Sequence, residues 1–252
     1  MSEPSIKNNS IDLSVVIPCY NEEKRIGKTL DRVIDYLKGQ SYSSEIRVID
    51  DGSYDNTLNI CKSYLEKFPQ FYINNISNNH GKGYAVRVGM LASKGEFVLF
   101  SDADLSTPIE EVEKLYQSMK NNKADIAIGS RSLPESEIIR HQPWYRETMG
   151  KIFNKFVQQW AIPGIIDTQC GFKLFHQKVI NQIFSRQKLW GFAFDVEILY
   201  IARQLGYRIA EVPIRWENSP TSKVNPIIDA TKMLIELRKI RHYHSHLENS
   251  QK

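Results

Sequence analysis

The feature that most constrains the fold is a repeated unit of a short apolar run, a polar cluster and an amphipathic stretch. The apolar runs cover residues 13–18, 46–49, 71–76 and 97–100, and the first three are each followed by apolar residues at helical spacing. Strands that alternate with helices are joined by right-handed crossovers and form parallel sheets. The sequence therefore predicts an α/β fold with a mostly parallel central sheet and helices on both faces.

A polar cluster follows the carboxyl end of each predicted strand. These clusters occupy residues 18–23, 50–57, 81–83 and 101–104. In open α/β sheets, ligands bind at the edge formed by the carboxyl ends of the strands. We therefore expect the four clusters to meet in one crevice.

A single hydrophobic core is expected, because 252 residues with 41% hydrophobic content suit one domain. Residues 1–10 are polar and lack the features of a signal peptide, so they are predicted as a disordered lead-in. Residues 11–225 are predicted to form the catalytic domain, and residues 226–252 a basic C-terminal helix and tail. No apolar run approaches the length of a membrane span, and the three cysteines show no C-x-x-C spacing. We expect a cytoplasmic protein whose membrane contact is peripheral.

Asp102 and Asp104 carry the strongest chemical signal. Two carboxylates at positions i and i+2, directly after a strand, can reach one hard divalent cation such as Mg²⁺ or Mn²⁺ and the phosphates that it bridges. A departing nucleotide diphosphate accumulates negative charge that such a cation offsets. Both residues are therefore predicted as metal ligands and catalytic residues. The alternative is that Asp104 only caps the helix that follows Pro108.

The other clusters are predicted to hold a nucleotide diphosphate. A carboxylate after the second strand can accept from a pyrimidine N–H or from ribose hydroxyls, although the same residues also suit a turn that caps a helix. Tyr20 offers a ring that can stack on a base, and the loop at 81–83 suits a diphosphate without having Walker A spacing. The predicted nucleotide-sugar-binding residues are Pro18, Tyr20, Asn21, Glu22, Asp50, Asp51, Lys82, Asp102 and Ala103.

Three cations beyond the metal motif, Arg131, Arg146 and Lys173, are predicted to bind an acceptor phosphate, with solvated surface charge as the alternative. The net charge of +4 suits anionic partners in general. No basic stripe interleaves with aromatic residues, so nucleic acid is not an expected partner.

The runs VVIPCYNEE (15–23), VIDDGSYDNT (48–57), GKGYAVRVGM (81–90) and DADLSTP (102–108) together resemble glycosyltransferase family 2. The resemblance implies the GT-A nucleotide-diphospho-sugar transferase fold. Further runs, DTQCGFKLF (167–175), FAFDVEILYIA (192–202) and VPIRW (212–216), are similar to the dolichyl-phosphate β-glucosyltransferase branch.

The resemblance implies an inverting transfer of glucose from UDP-glucose to a polyprenyl phosphate at the cytoplasmic face of a membrane. Asp50 and Asp51 would then bind the uridine, and Arg131 and Arg146 would face the acceptor phosphate. Ser106 occupies the position at which related mannosyltransferases have a Gln metal ligand. The alternatives are a polyprenyl-phosphate mannosyltransferase that uses GDP-mannose, a family 2 enzyme that builds polysaccharide on hydroxyl acceptors, and a nucleotide-sugar-binding module without turnover.

Asp195 is the remaining catalytic candidate. A phosphate monoester already presents an anionic oxygen near neutral pH, so Asp195 and Asp167 are predicted to orient the sugar or the basic acceptor site. With a hydroxyl acceptor, Asp195 would instead be the general base. The amphipathic stretch 145–160 and the basic C-terminal helix are predicted to contact an anionic membrane surface. The alternative is that both helices pack inside the monomer or a homodimer.

Overall fold

A seven-stranded sheet lies at the centre of the computed structural model, which describes residues 10–219 and 226–248. In spatial order its strands are β3 (Phe71–Asn75), β2 (Ser44–Asp50), β1 (Leu13–Cys19), β4 (Phe97–Ser101), β7 (Phe172–His176), β5 (Ile126–Ser130) and β8 (Ile209–Pro213). Only β7 runs antiparallel to its neighbours in this sheet. Two further strands, β6 (Glu137–Arg140) and β9 (Arg215–Glu217), form a small parallel ribbon.

Helices cover both faces of the sheet, as predicted. One face carries α1 (Ile26–Lys38), α2 (Thr57–Lys62) and α4 (Val112–Asn122). The other carries α3 (Lys82–Ala92), α5 (Trp144–Trp160), α6 (Gln177–Phe184), α7 (Phe194–Gln204) and α8 (Pro226–Tyr243), with the short α9 (Ser245–Glu248) after it. The apolar spacing predicted a second helix that extends through Leu65, but α2 ends at Lys62. Leu65 lies beyond the helix and is 48% exposed.

The strands divide their side chains between two hydrophobic clusters because successive residues of a strand point to opposite faces. In β1, Val15 and Ile17 join the cluster beneath α1 and α4, whereas Val16 joins the cluster beneath α3 and α7. All three are fully buried. This two-sided burial accounts for the continuous apolar runs that mark the parallel strands in the sequence.

The C-terminal helix packs against the domain. Met233, Leu237 and Ile240 of α8 are buried in the same cluster as residues of α5 and α7. The basic side chains of Lys232, Lys239 and Arg241 lie on the exposed side of α8. The predicted boundary at residue 225 stays a prediction, and the predicted lead-in falls almost wholly on residues 1–9, outside the described residues. Within 10–219 and 226–248, no helix combines the length and apolarity needed to span a bilayer.

Candidate active site

A cavity of about 350 Å³ lies at the carboxyl ends of β1, β2 and β4, where the polar clusters were expected to meet. Its lining includes the predicted residues Pro18, Tyr20, Glu22, Asp51, Lys82, Asp102, Ala103 and Asp104, together with Arg25, Asn79, Gly81, Gly191 and Phe192. Five segments separated along the chain therefore share one crevice.

Asn21 and Asp50, two members of the predicted set, lie outside this lining. Asp50 ends β2 with no exposed surface, and its carboxylate lies 3.9 Å from the Cys19 thiol. Asp51 faces the cavity instead, because neighbouring residues of an extended chain point in opposite directions. The Asn21 side chain accepts a hydrogen bond from the Tyr54 backbone N–H at 3.0 Å, so it holds the loop after β2. Direct contact of Asp50 or Asn21 with a nucleotide sugar is therefore not supported.

Asp51 organises the loop that leads into α3. Its carboxylate accepts hydrogen bonds from the backbone N–H of His80 at 3.0 Å and of Gly81 at 2.8 Å, and from the Asn79 side chain at 2.9 Å. Burial raises the pKa of Asp51 above its usual value, and the two backbone donors offset part of that effect. Asn79 was missed in the sequence because it precedes the Gly-Lys-Gly run. The long polar run from residue 77 to 82 was its only signal.

Asp102 and Asp104 lie side by side on the floor of the cavity, each beside a cation. Lys82 Nζ is 2.7 Å from Asp102 Oδ1, and Arg25 Nη1 is 3.5 Å from Asp104 Oδ2. Burial raises the pKa of Asp104, and the neighbouring Asp102 carboxylate raises it further. Burial opposes the charge on Lys82, but Asp102 and Asp195 raise its pKa above the usual value. Sequence reasoning missed Arg25, which also pairs with Glu22.

Two features of the Asp102–Asp104 pair suit a divalent cation: the oxygen atoms of the carboxylates, and the room that surrounds them. Both Asp102 and Asp104 offer hard oxygen donors to the cavity, and burial together with the Asp102 carboxylate raises the pKa of Asp104. A side chain at Gly171 would place its Cβ 2.0 Å from Asp102 Oδ2, so glycine leaves room for this carboxylate. Among the described residues, no group of three His, Cys, Asp or Glu side chains forms a closed cage. A bound Mg²⁺ or Mn²⁺ would therefore complete its coordination with water or phosphate oxygens.

A second cavity of about 270 Å³ adjoins the first and shares Lys82, Asp102, Asp104 and Phe192 with it. Its other walls come from the residue directly after β5, from α5, the segment before β7, α7, β9 and the residues after it, and α8. The residues that line it include Arg131, Met149, Phe153, Gln169, Asp195, Trp216 and Met233. Ser106 also lines this cavity, and its backbone N–H donates to Asp104 Oδ1 at 3.0 Å.

Arg131 enters the second cavity on a rigid support. Its Nε and Nη2 donate to the two oxygens of Asp167, each at 2.7 Å, and the backbone N–H groups of Ile166 and Asp167 donate in turn to Glu211. Burial opposes the charge on Arg131, yet Asp167 raises its pKa. Burial alone would raise the pKa of Asp167, but Arg131 lowers it below the usual value. Asp167 thus orients Arg131, which retains 27% side-chain exposure toward the cavity.

The predicted acceptor role of Lys173 needs correction. Lys173 has no exposed surface, and its ammonium group donates to Asp195 and to the Cys170 carbonyl oxygen. The buried Asp195 carboxylate satisfies this charge, so Lys173 supports Asp195 and does not reach a ligand. The third predicted cation, Arg146, has a side chain outside the described residues.

Comparison with known proteins decides the family. The model of "Glycosyl transferase family 2" matches residues 14–184, which is more than half of the chain. This chain belongs to glycosyl transferase family 2. It is 38% identical over 254 residues to a dolichyl-phosphate β-glucosyltransferase of Dictyostelium discoideum, with 94% of this chain and 78% of that protein covered. The family predicted from the motifs is confirmed, and the chain is a glycosyltransferase.

Solved structures support the fold of this family 2 chain. A mannosyl-3-phosphoglycerate synthase from Rubrobacter xylanophilus superposes with a TM-score of 0.70 at 16% identity, covering 95% of this chain and 75% of that one. A glucosyl-3-phosphoglycerate synthase from Mycobacterium tuberculosis, solved with Mn²⁺, UDP-glucose and phosphoglyceric acid, has a TM-score of 0.68 at 16% identity, with 92% and 79% covered. The predicted GT-A fold is confirmed.

Proposed function

We propose that this family 2 enzyme transfers glucose from UDP-glucose to a dolichyl-type polyprenyl phosphate, with inversion at the anomeric carbon and with Mg²⁺ or Mn²⁺ as cofactor. The observation that carries this proposal is the junction of two cavities at Asp102, Asp104 and Lys82, with an oriented arginine in the second cavity. The names of the relatives at 36–40% identity support the choice of sugar and acceptor.

The first cavity suits the donor. Tyr20 offers a ring for the base and Asp51 fixes the loop beside it, while Lys82 lies where a diphosphate would meet the Asp102–Asp104 floor. A divalent cation bound to the two carboxylates would neutralise negative charge on the diphosphate as it leaves. The Lys82 ammonium group adds a second positive charge at the same point.

The second cavity suits an acceptor that is already ionised. A phosphate monoester has a second pKa of about 6, so it attacks without a general base near pH 7. Arg131 would bind its oxygens, and Asp167 keeps the guanidinium plane fixed for that contact. Asp195 lines the cavity with its carboxylate held by Lys173, which fits a role in orienting the sugar.

A lipid acceptor explains the apolar walls of the second cavity. Met149 and Phe153 of α5 and Met233 of α8 line it, and the same helices expose Trp144 (78%), Ile152 (50%) and Ile235 (53%). Basic residues of α8, including Lys232 and Lys239, are exposed nearby in sequence. This combination fits peripheral contact with an anionic membrane that presents the polyprenyl phosphate at the cavity.

The test is an assay that crosses UDP-glucose, UDP-N-acetylglucosamine and GDP-mannose with polyprenyl phosphate, in Mg²⁺, Mn²⁺ or a chelator. We expect UDP-glucose to yield a glucosyl lipid, and we expect this product to form only when a divalent ion is present. Product formed from GDP-mannose but not from UDP-glucose would contradict the proposed donor. Full activity in chelator would contradict the cofactor, and transfer to a neutral polyprenol but not to its phosphate would contradict the acceptor.

A further inference from the structure

The loop between α6 and α7, residues 185–193, forms a wall of both cavities without carrying a charged ligand of its own. Phe192 lines both cavities, and Gly191 lines the first. The loop is bound to the start of α3, because the Gly83 backbone N–H donates to the Trp190 carbonyl at 2.7 Å. Gly81, at φ +108°, lies so close that a Cβ there would be 2.6 Å from the Trp190 oxygen. The position of this loop therefore sets the position of Lys82.

Glu197 of α7 anchors this loop from behind. Its side chain has no exposed surface, and its carboxylate accepts from the Lys188 backbone N–H at 3.0 and 3.1 Å and from the Leu189 backbone N–H at 2.8 Å. A buried carboxylate is costly without partners, so these contacts hold the loop and the acid together. Glu197 itself lines neither cavity.

The remaining partner of Glu197 comes from the C-terminal end of the chain. His244, at the junction of α8 and α9, is fully buried, and its Nε2 is 2.8 Å from Glu197 Oε1. A carboxylate only accepts, so the imidazole Nε2–H donates. Lys188 adds a second contact, because its Nζ is 3.4 Å from the Tyr243 carbonyl oxygen. The loop, α7 and the α8–α9 junction thus meet at one buried carboxylate.

We infer that Glu197 and His244 are positioning residues, which fix the 185–193 loop and, through it, Lys82 against the leaving diphosphate. This inference rests on the proposed function for its consequence, but the anchoring itself does not. The α8–α9 junction thereby supports donor binding from outside the donor cavity.

The experiment measures hydrogen exchange and binding of UDP with Mn²⁺ in the full chain, for the wild type and three variants. His244→Leu removes the donor to Glu197, and His244→Gln restores an N–H at similar reach. His242→Leu is the matched control, since His242 is exposed two residues earlier in α8. Exchange at the amides of Lys188 and Leu189 reports directly on the two bonds to Glu197.

In His244→Leu, we expect those two amides to exchange at least about tenfold faster while β1 and β4 stay protected. The Kd for UDP should rise about fivefold, the effect of losing roughly one hydrogen bond. His244→Gln should return both values to within about twofold of the wild type, and His242→Leu should match the wild type.

Unchanged exchange at these amides in His244→Leu would overturn the inference, as would equal acceleration throughout the sheet or no recovery in His244→Gln. Should His244→Leu not fold, Glu197→Leu, which removes both acceptor oxygens, carries the same measurement and the same expectation. A wild type that binds no UDP would contradict the proposed function, whereas the exchange result would still decide whether the anchoring exists.

Discussion

The cavities that we propose for the donor and the acceptor each depend on one aspartate, the partly buried Asp104 and the buried Asp167, and the pKa values of the two carboxylates shift in opposite directions. Asp104, on the proposed donor side, has a raised pKa because burial and Asp102 outweigh the Ser106 backbone hydrogen bond and the Arg25 guanidinium at 3.5 Å. Asp167, on the acceptor side, has a lowered pKa because Arg131 binds both of its oxygens. The Asp104 carboxylate, 3.5 Å from Arg25, can still bind a cation. Both oxygens of Asp167 already accept hydrogen bonds from Arg131. This difference supports the proposed metal site beside Asp104 and the proposed anion site at Arg131.

The largest expected effect tests the donor half. Asp104→Asn should lower the transfer rate at least about 100-fold, because an electrostatic contribution to the leaving group is removed. Thermal stability at pH 7 should be kept or raised, because burial raises the pKa of Asp104 and so opposes its charged form. Initial rates over a Mg²⁺ titration and a melting curve check both parts. A transfer rate near that of the wild type would contradict the assignment of Asp104 as a metal ligand.

The second effect tests the acceptor half. Arg131→Ala should reduce the use of polyprenyl phosphate about tenfold or more, the usual scale for a charge-assisted hydrogen bond, and should leave slow hydrolysis of the donor nearly unchanged. Arg131→Lys, the matched variant, keeps the charge but loses the paired contact with Asp167, so its loss should be intermediate. Equal losses of transfer and donor hydrolysis in Arg131→Ala would contradict an acceptor role.

The smallest effect sharpens the contrast between the two aspartates through pH. Because the folded pKa of Asp167 is lowered, its stabilisation is present above the unfolded value of about 3.9 and is lost as pH falls through the folded value. Asp167→Asn should lower the melting temperature at pH 7 by roughly 2–4 °C, about 1 kcal/mol for a partly solvated pair, and should flatten the acid limb of the profile. Parallel acid limbs in variant and wild type would show that the pair contributes nothing.

The same two halves differed in how far the sequence predicted them. Asp51, Lys82, Asp102 and Asp104 were found because each directly follows a strand or opens a helix, so the local pattern alone locates it at the ligand edge. Arg25 was not predicted as a site residue because it lies one residue before α1, where a cation is expected to face solvent.

On the acceptor side, the sequence showed residue types but not their partners. Lys173 was predicted as a ligand because nothing in the local pattern reveals that Asp195, 22 residues later, satisfies its charge. Gln169 and Trp216 lie in the runs 167–175 and 212–216 that carry the family resemblance, but neither was predicted as a site residue, although both line the second cavity. Pairings of this kind depend on the tertiary arrangement of β5, β7, α7 and β9.

The reversed direction of β7 explains where the acceptor residues sit along the chain. A parallel strand delivers to the ligand edge the residues that come after it, whereas β7 delivers those that come before it, which is why residues 167–171 reach the cleft. In the proposed function, the reversed strand brings the acceptor-binding segment to the same edge of the sheet as the donor-binding loops after β1, β2 and β4.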